Sequence, residues 1–582
     1  MAGAIDTAAA SVEPQRLARH LEWFATVRRD TAGPGERQAA EYIAAQLRDG
    51  GVPVQVHEFD AFLSYPIRAT LEVLEPERLT LPCLTHSFAR ATGPDGVVAE
   101  LTEVADGHVE RGAGRAALVG GLATPVTVLR ASRAGCAAVV FTNQDRVIHN
   151  MIGTTIWGTP DLDQTDRLPQ CPAVSVDADG GRTLRQILGR GGPVRVRIVA
   201  DVRTEWFRSL LPEAAIPGRG GDGAEADQFV LVGAHYCAWN TGVTDNATGD
   251  ACLLEMARGL WEHRAGLARG VRVCWWPGHS HGRYSGSTWY ADSKFFELAE
   301  RCLAYYNVDS PGVRGATRYV ARNTTADLER FAKQIITRTT GLTDPPAHRP
   351  ARAADQSFLP NGVSSFSIYP FLPETHEHYR PWTGGSANAW WWHTAFDTLD
   401  KADTAILATD TRIGVTAVGE LANARVLPLA PGDTGQEIRT VAADLRPLLG
   451  SHLDLGPVVA DADAFIAVSR SLDEARGRAA DPPAARRLNA ALLRLSRVLN
   501  PVVYSRRGRF FHDPAEWSPI MRASGRYVLP GLSPAAALPS LAGTRDYGFL
   551  RAQLVRECNR VRAALRDASA LALETAEALG RV

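Results

Sequence analysis

The chain has 582 residues, 45% of them hydrophobic and 22% charged, with a formal net charge of -1. That profile fits a folded globular protein and excludes a disordered one, and its neutral balance argues against a polyanionic partner, so nucleic acid is not expected. No stretch approaches the ~20 apolar residues that span a bilayer, so no membrane partner is expected either, and the length calls for about three domains.

Residues 14–50 read as helices: EYIAAQLRDGG sets Tyr42, Ile43 and Leu47 at helical spacing and stops at Gly50-Gly51. VPVQVHEF and IRATLEVLEP follow as two strands, the first by its alternation of apolar and polar residues. From residue 94 the texture turns to Gly-rich turns between short strands, with RAALVGG, a helix ending ASRAGCAAVVFTNQ, and CPAVSVDADGGRTL. This reads as a small β-rich insertion over 94–202. It divides a first region, 1–93, from a second, 203–430. In the latter, FVLVGAHY, GDACLLEMARGLWEH, VRVCWWPG, STWYADSKFFELAERC and LAYYNVDS alternate strand and helix, the pattern of a parallel α/β sheet. Residues 435–582 read as helical, with the amphipathic AARRLNAALLRLSRVLNP, a loop PVVYSRRGRFFHDPAEW, and a long helix from Tyr547 to Leu579.

The cysteines, Cys83, Cys136, Cys171, Cys237, Cys252, Cys274, Cys302 and Cys558, form no CxxC pair and several lie in apolar runs, so no disulfide scaffold is expected. The start MAGAIDTAAASVEPQRLARH carries Asp6 and Glu13 and lacks a basic segment leading into an apolar one. It does not read as a secretory signal, and the expected compartment is the cytoplasm.

Four residues with metal-ligand chemistry stand where such a sheet presents its loops. His235 ends an apolar strand, Asp245 precedes the helix that begins near Thr248, Asp309 ends the aromatic-rich YYNVDS, and His393 follows three tryptophans in WWWHTAFDTLDKAD. Alone, Asp245 is explained as a helix cap and His235 as a core residue. An unpaired carboxylate at Asp309 is costly to desolvate unless it meets a cation, and imidazole with carboxylate is a donor set that suits zinc.

This order of residues resembles the zinc aminopeptidases and their relative glutamate carboxypeptidase II, over nearly the whole chain. The resemblance implies a zinc-exopeptidase-like α/β fold, a mixed sheet flanked by helices. It adds an inserted protease-associated domain over 94–202, matched by ALVGG and AAVVFTN, and a C-terminal helical dimerisation domain like that of transferrin receptor. By the same resemblance His235, Asp245, Asp309 and His393 fall on metal-ligand positions, with Asp245 bridging two metals and Asp397 orienting the ring of His393. The implied cofactor is a divalent metal, zinc first, as one or two ions, and the implied assembly is a homodimer. AADQSFLPNGVSSFSIYP, which contains Asp355, looks like the family's SDHxxFxxxGIP segment.

The chain departs from that family where the general base belongs. A Glu-Glu pair is expected after VRVCWW, and PGHSHGRYSGS stands there, with His279 and Ser280 at the two positions and Cys237 in place of an Asp near the first ligand. Three readings are open. In one, His279 is the base and His281 the missing ligand; in another a single metal site survives; in the third the chain is a receptor-like or scaffold dimer without catalysis. Glu374 in ETHEHY is a distant candidate for the base, and Arg283 and Tyr284 are candidates to bind a substrate carboxylate or oxyanion. The expected function is metal-dependent hydrolysis of amide bonds in small peptides or peptide-like compounds.

Overall fold

The computed structural model describes residues 2–105, 107–219, 225, 227–479, 481–516 and 528–580. Trp517, at the end of the loop read from the sequence, and the rest of 517–527 lie outside the described residues. Four strands lie in parallel at the centre, in the order Ser365–Phe371, Cys302–Asn307, Phe229–His235 and Gly270–Trp276. Arg318–Arg322 joins one side antiparallel and Arg195–Ile216 the other.

Each central strand is buried on both faces because its successive side chains enter different cores. On Phe229–His235, Val230, Val232 and Ala234 pack with helices Pro14–Phe24, Pro34–Asp49, Thr248–Glu262 and Thr404–Asn423. Phe229 and Leu231 face the opposite way, toward Tyr290, Leu298 and Phe358. Gly270–Trp276 repeats the pattern, with Val271, Val273 and Trp275 on the first side and Cys274 and Trp276 on the second. Parallel pairing sets the carboxyl ends of these strands along one edge, where open α/β sheets place their ligands.

The segments read as two strands, VPVQVHEF and IRATLEVLEP, are one strand, Val54–Glu75, paired antiparallel with Arg195–Ile216 along its length. Pro66 interrupts its alternation without ending it, since the ladder only shifts register between Pro66 and Arg68. This ribbon carries the chain out of the central sheet. Its far end packs Leu71, Val73, Val196 and Ile198 with the strands Val97–Glu103, Ala116–Gly120, Ala138–Thr142 and Ala173–Val176, which lie parallel in that order. Helices Pro125–Ala134 and Ala178–Gly189 complete the module. Its core therefore draws on residues before 94 as well.

The C-terminal region is helical: Pro431–Leu449, Gly456–Arg478, Pro482–Val503 and Arg545–Gly580. The apolar stripe of the third, with Leu488, Leu492, Leu495 and Leu499, is buried in the same cluster as the central strands and the last helix. The apolar face of the amphipathic segment is thus covered within the chain. Among the described residues no helix is long and apolar enough to cross a membrane.

Candidate metal centre

Strand Phe229–His235 delivers the His235 ring to the sheet edge, and the chain then turns back to bring Asp245 against it just before helix Thr248–Glu262. Arg29, fully buried, fixes this turn by donating to the carbonyls of Tyr236 and Gly242 on its two sides. No sequence signal marked Arg29, because its role consists of contacts far along the chain.

Asp245 divides its oxygens. Oδ1 lies 3.0 Å from His235 Nε2, and Oδ2 lies 3.2 Å from His393 Nε2. Asp309 Oδ1 is 3.9 Å from the same His235 nitrogen, and ligand atoms of His235, Asp245 and Asp309 lie within 4.8 Å of one another. The second nitrogen of each ring meets a main-chain carbonyl at 2.8 Å, Cys237 for His235 and Asn150 for His393. Each Nδ1 therefore carries a proton, and each Nε2 is the nitrogen that faces the cluster, where it takes either a proton shared with Asp245 or a cation. A lone pair facing a carboxylate oxygen at ~3 Å is repulsive unless a proton or a cation lies between. Burial opposes charge on His235, but its hydrogen bonds to Asp245 and the Cys237 carbonyl outweigh that and hold it well above the usual imidazole range. Burial likewise opposes charge on Asp245, and the two imidazoles bring it well below the usual carboxylate range. The donor set fits a divalent cation, for which imidazole nitrogens braced by carbonyls are the customary ligands.

Asp397 does not orient the ring of His393. Its Oδ1 accepts from the Thr244 main chain at 2.9 Å and hydroxyl at 2.7 Å, and its Oδ2 from the Asp245 N–H at 3.0 Å. It holds the backbone that carries Asp245, and its burial raises its pKa to about 7. Gly385 lets the tryptophan beside His393 come close: a Cβ there would sit 2.5 Å from Trp392 Nε1.

The altered motif separates its two histidines. The His279 ring stacks on His235, with centroids 3.8 Å apart, and its Nδ1 is 2.8 Å from Asp355 Oδ2. Asp355 is itself held by the Ser287 hydroxyl at 2.9 Å, and Cys237 Sγ accepts from the His279 N–H at 3.2 Å. Burial, then the charge on His235, lower the His279 pKa, and the contact of Nδ1 with Asp355 leaves Nε2 as the available basic nitrogen. His281 is not brought to the cluster. Its Nδ1 lies 3.4 Å from the Thr31 hydroxyl and its Nε2 3.7 Å from Asp30, in a buried pocket with Tyr65 and Trp239. Both nitrogens point to the N-terminal segment, because the chain reverses between Gly278 and Tyr284 before helix Ser285–Ser293 begins.

Ser280 is buried between them. Arg283 and Tyr284 both have left-handed backbones, at φ 47° and 72°. The Tyr284 ring meets His279 edge-on at 4.7 Å, and its hydroxyl accepts from the Ala354 N–H. Arg283 lies over the Tyr284 ring and forms no ion pair among the described residues. Glu374 is exposed and paired with Arg318 at 3.2 Å, so it does not take part in the cluster. Sequence reasoning named Asp355 without its partner and missed Asn150, whose contribution is a main-chain carbonyl.

Residues 216–417 match Peptidase family M28. The chain is similar in fold to a zinc aminopeptidase from Bacillus subtilis, with TM-score 0.54 and 19% identity, covering 70% of this chain and 95% of that one. It is also similar to a Peptidase M28 precursor from Shewanella amazonensis SB2B, with TM-score 0.58 and 18% identity, covering 73% and 96%. Among curated relatives, a probable glutamate carboxypeptidase VP8 from Zea mays is 25% identical over 47% of this chain and 47% of its own length. Aminopeptidase NAALADL1 of Mus musculus is 26% identical over 61% and 51%. The chain spans about half the length of these curated relatives.

Proposed function

We propose that this chain is a metal-dependent hydrolase of amide bonds in small peptides or peptide-like compounds, with His279 in place of the missing glutamate base. The observation that carries the reading is Asp245, whose two oxygens face the Nε2 atoms of His235 and His393 at 3.0 and 3.2 Å. The M28 match and the printed names of the relatives, peptidases throughout, support it.

His235, Asp245 and Asp309 would hold one zinc-like ion, which when bound supplies Lewis-acid polarisation and an acidified water. A second position, toward His393, has Asp245 Oδ2 but Ser280 where the family has a carboxylate, so it would hold an ion more weakly. His279 takes a proton at Nε2, while Asp355 keeps the other nitrogen protonated and the ring in place; this is the arrangement of a positioned general base. Arg283, free of any carboxylate among the described residues, is suited to bind a carboxylate of the substrate. The module resembling a protease-associated domain walls the His393 side.

The loss of the Glu-Glu pair favours a second reading, a chain that keeps a metal but does not catalyse. Metal analysis of the purified protein, followed by aminoacyl and acidic dipeptide substrates, separates the two. Zinc with turnover supports the hydrolase, zinc without turnover the second reading, and no metal after zinc, manganese or cobalt loading defeats both.

A further inference from the structure

His393 is a ligand candidate whose ring and backbone are both held by the inserted module. Its backbone is left-handed, at φ 58°, a conformation that a non-glycine residue keeps only when its surroundings enforce it. Those surroundings are the inserted module. The main-chain N–H of Asn150 donates to the His393 carbonyl at 2.9 Å, the Asn150 side-chain amide donates to the same oxygen at 3.2 Å, and the Asn150 carbonyl accepts from His393 Nδ1 at 2.8 Å. One residue thus grips the backbone and the ring of His393 together. The neighbouring His149 places Nδ1 2.6 Å from the Trp392 carbonyl, and Trp392 stacks on His393 at 3.8 Å. Asp145 pairs with Arg380 at 2.8 Å, and Asn143 accepts from the His149 N–H, which braces the loop from within.

We infer that Asn150 is a positioning residue of the metal centre, and that the module acts on the site through it rather than only covering it. The Asn150 carbonyl fixes the proton of His393 on Nδ1 and so leaves Nε2 free to face the site; an acceptor on the remote nitrogen of a ligating imidazole orients the ring and raises its basicity. The inference rests on the metal-centre reading above. It carries a reciprocal consequence: whatever the loop 143–150 contributes to binding the ion, the ion contributes to ordering the loop.

The test is zinc affinity by chelator competition in the full-length protein, with His393→Ala as the reference that defines the His393-dependent binding step. In Asn150→Asp a donor to the His393 carbonyl becomes an acceptor facing it, and in Asn150→Pro the main-chain donor is removed. Both variants should weaken that step by about ten- to a hundredfold, beyond what any fall in the melting temperature of the metal-free protein accounts for. Asn150→Ala, which keeps the main-chain donor and acceptor, should recover most of the affinity. Amide hydrogen exchange across 143–152 should slow on adding zinc, while the module strand Ala138–Thr142 does not change. Unaltered zinc binding in both Asn150→Asp and Asn150→Pro, or a His393→Ala variant that binds zinc like the parent, overturns the inference while the hydrolase reading stands. A parent protein that binds no zinc overturns both.

Discussion

The two imidazoles that face Asp245 are held in opposite ways. His235 ends a buried strand and finds its carbonyl partner in Cys237, two residues along, so its position follows from the strand and the first turn after it. His393 sits in an irregular loop with a left-handed backbone, and its carbonyl partner is 243 residues away in the inserted module. The same local chemistry is therefore robust on one side and dependent on domain packing on the other. Metal held by His235, Asp245 and Asp309 should tolerate disturbance of the module, and whatever depends on His393 should not.

Asp245→Ala tests the bridge between the two sides and should have the largest effect. Both rings lose their shared carboxylate, so zinc binding should fall below detection by elemental analysis after dialysis. Zinc retained at full affinity would mean that the two sides are independent.

His279→Ala should come next. The ring stacks on His235 but makes its directional contact to Asp355, so the metal should stay while turnover on any substrate found falls by about a hundredfold or more. A variant with unchanged turnover moves the base elsewhere, and one that loses its metal makes His279 a ligand.

Asp397→Ala frees the backbone of Thr244 and Asp245 without touching either ring. Zinc affinity should drop by about ten- to a hundredfold, the range for partners of ligating residues. Because Asp245 serves both rings, every zinc-binding step should weaken, unlike the effect expected at Asn150. A loss confined to the His393-dependent step would revive the reading in which Asp397 serves that ring.

The smallest effect should be that of His281→Gln. Its ring is buried against Thr31, Asp30, Tyr65 and Trp239, so the change should cost about 1–3 kcal/mol of stability, measured by thermal denaturation. Zinc content should not change. A loss of zinc here would restore His281 as a ligand and contradict its placement.

The sequence alone determined the central strands, the helices between them and the residues at their carboxyl ends. Buried parallel strands are written as continuous apolar runs, and a charged or imidazole residue closing such a run is conspicuous. That is why His235 and Asp309 stood out, while Asp245 stood out by its place just before a helix, and why the break at GHSHGRY was visible as a departure from a resembling family. The sequence did not show that one strand spans Val54–Glu75, since Pro66 interrupts its alternation while the ladder only shifts register. Only the tertiary structure assigned directions and partners. It turned His279 toward Asp355 and His281 toward Asp30, although only Ser280 separates them, because a reversing turn sends neighbouring side chains to different walls. It gave Asp397 to the backbone of Asp245, and it brought the Asn150 carbonyl to His393. A main-chain carbonyl has no residue type, so no pattern in the chain announces it; the fold of the module puts it there.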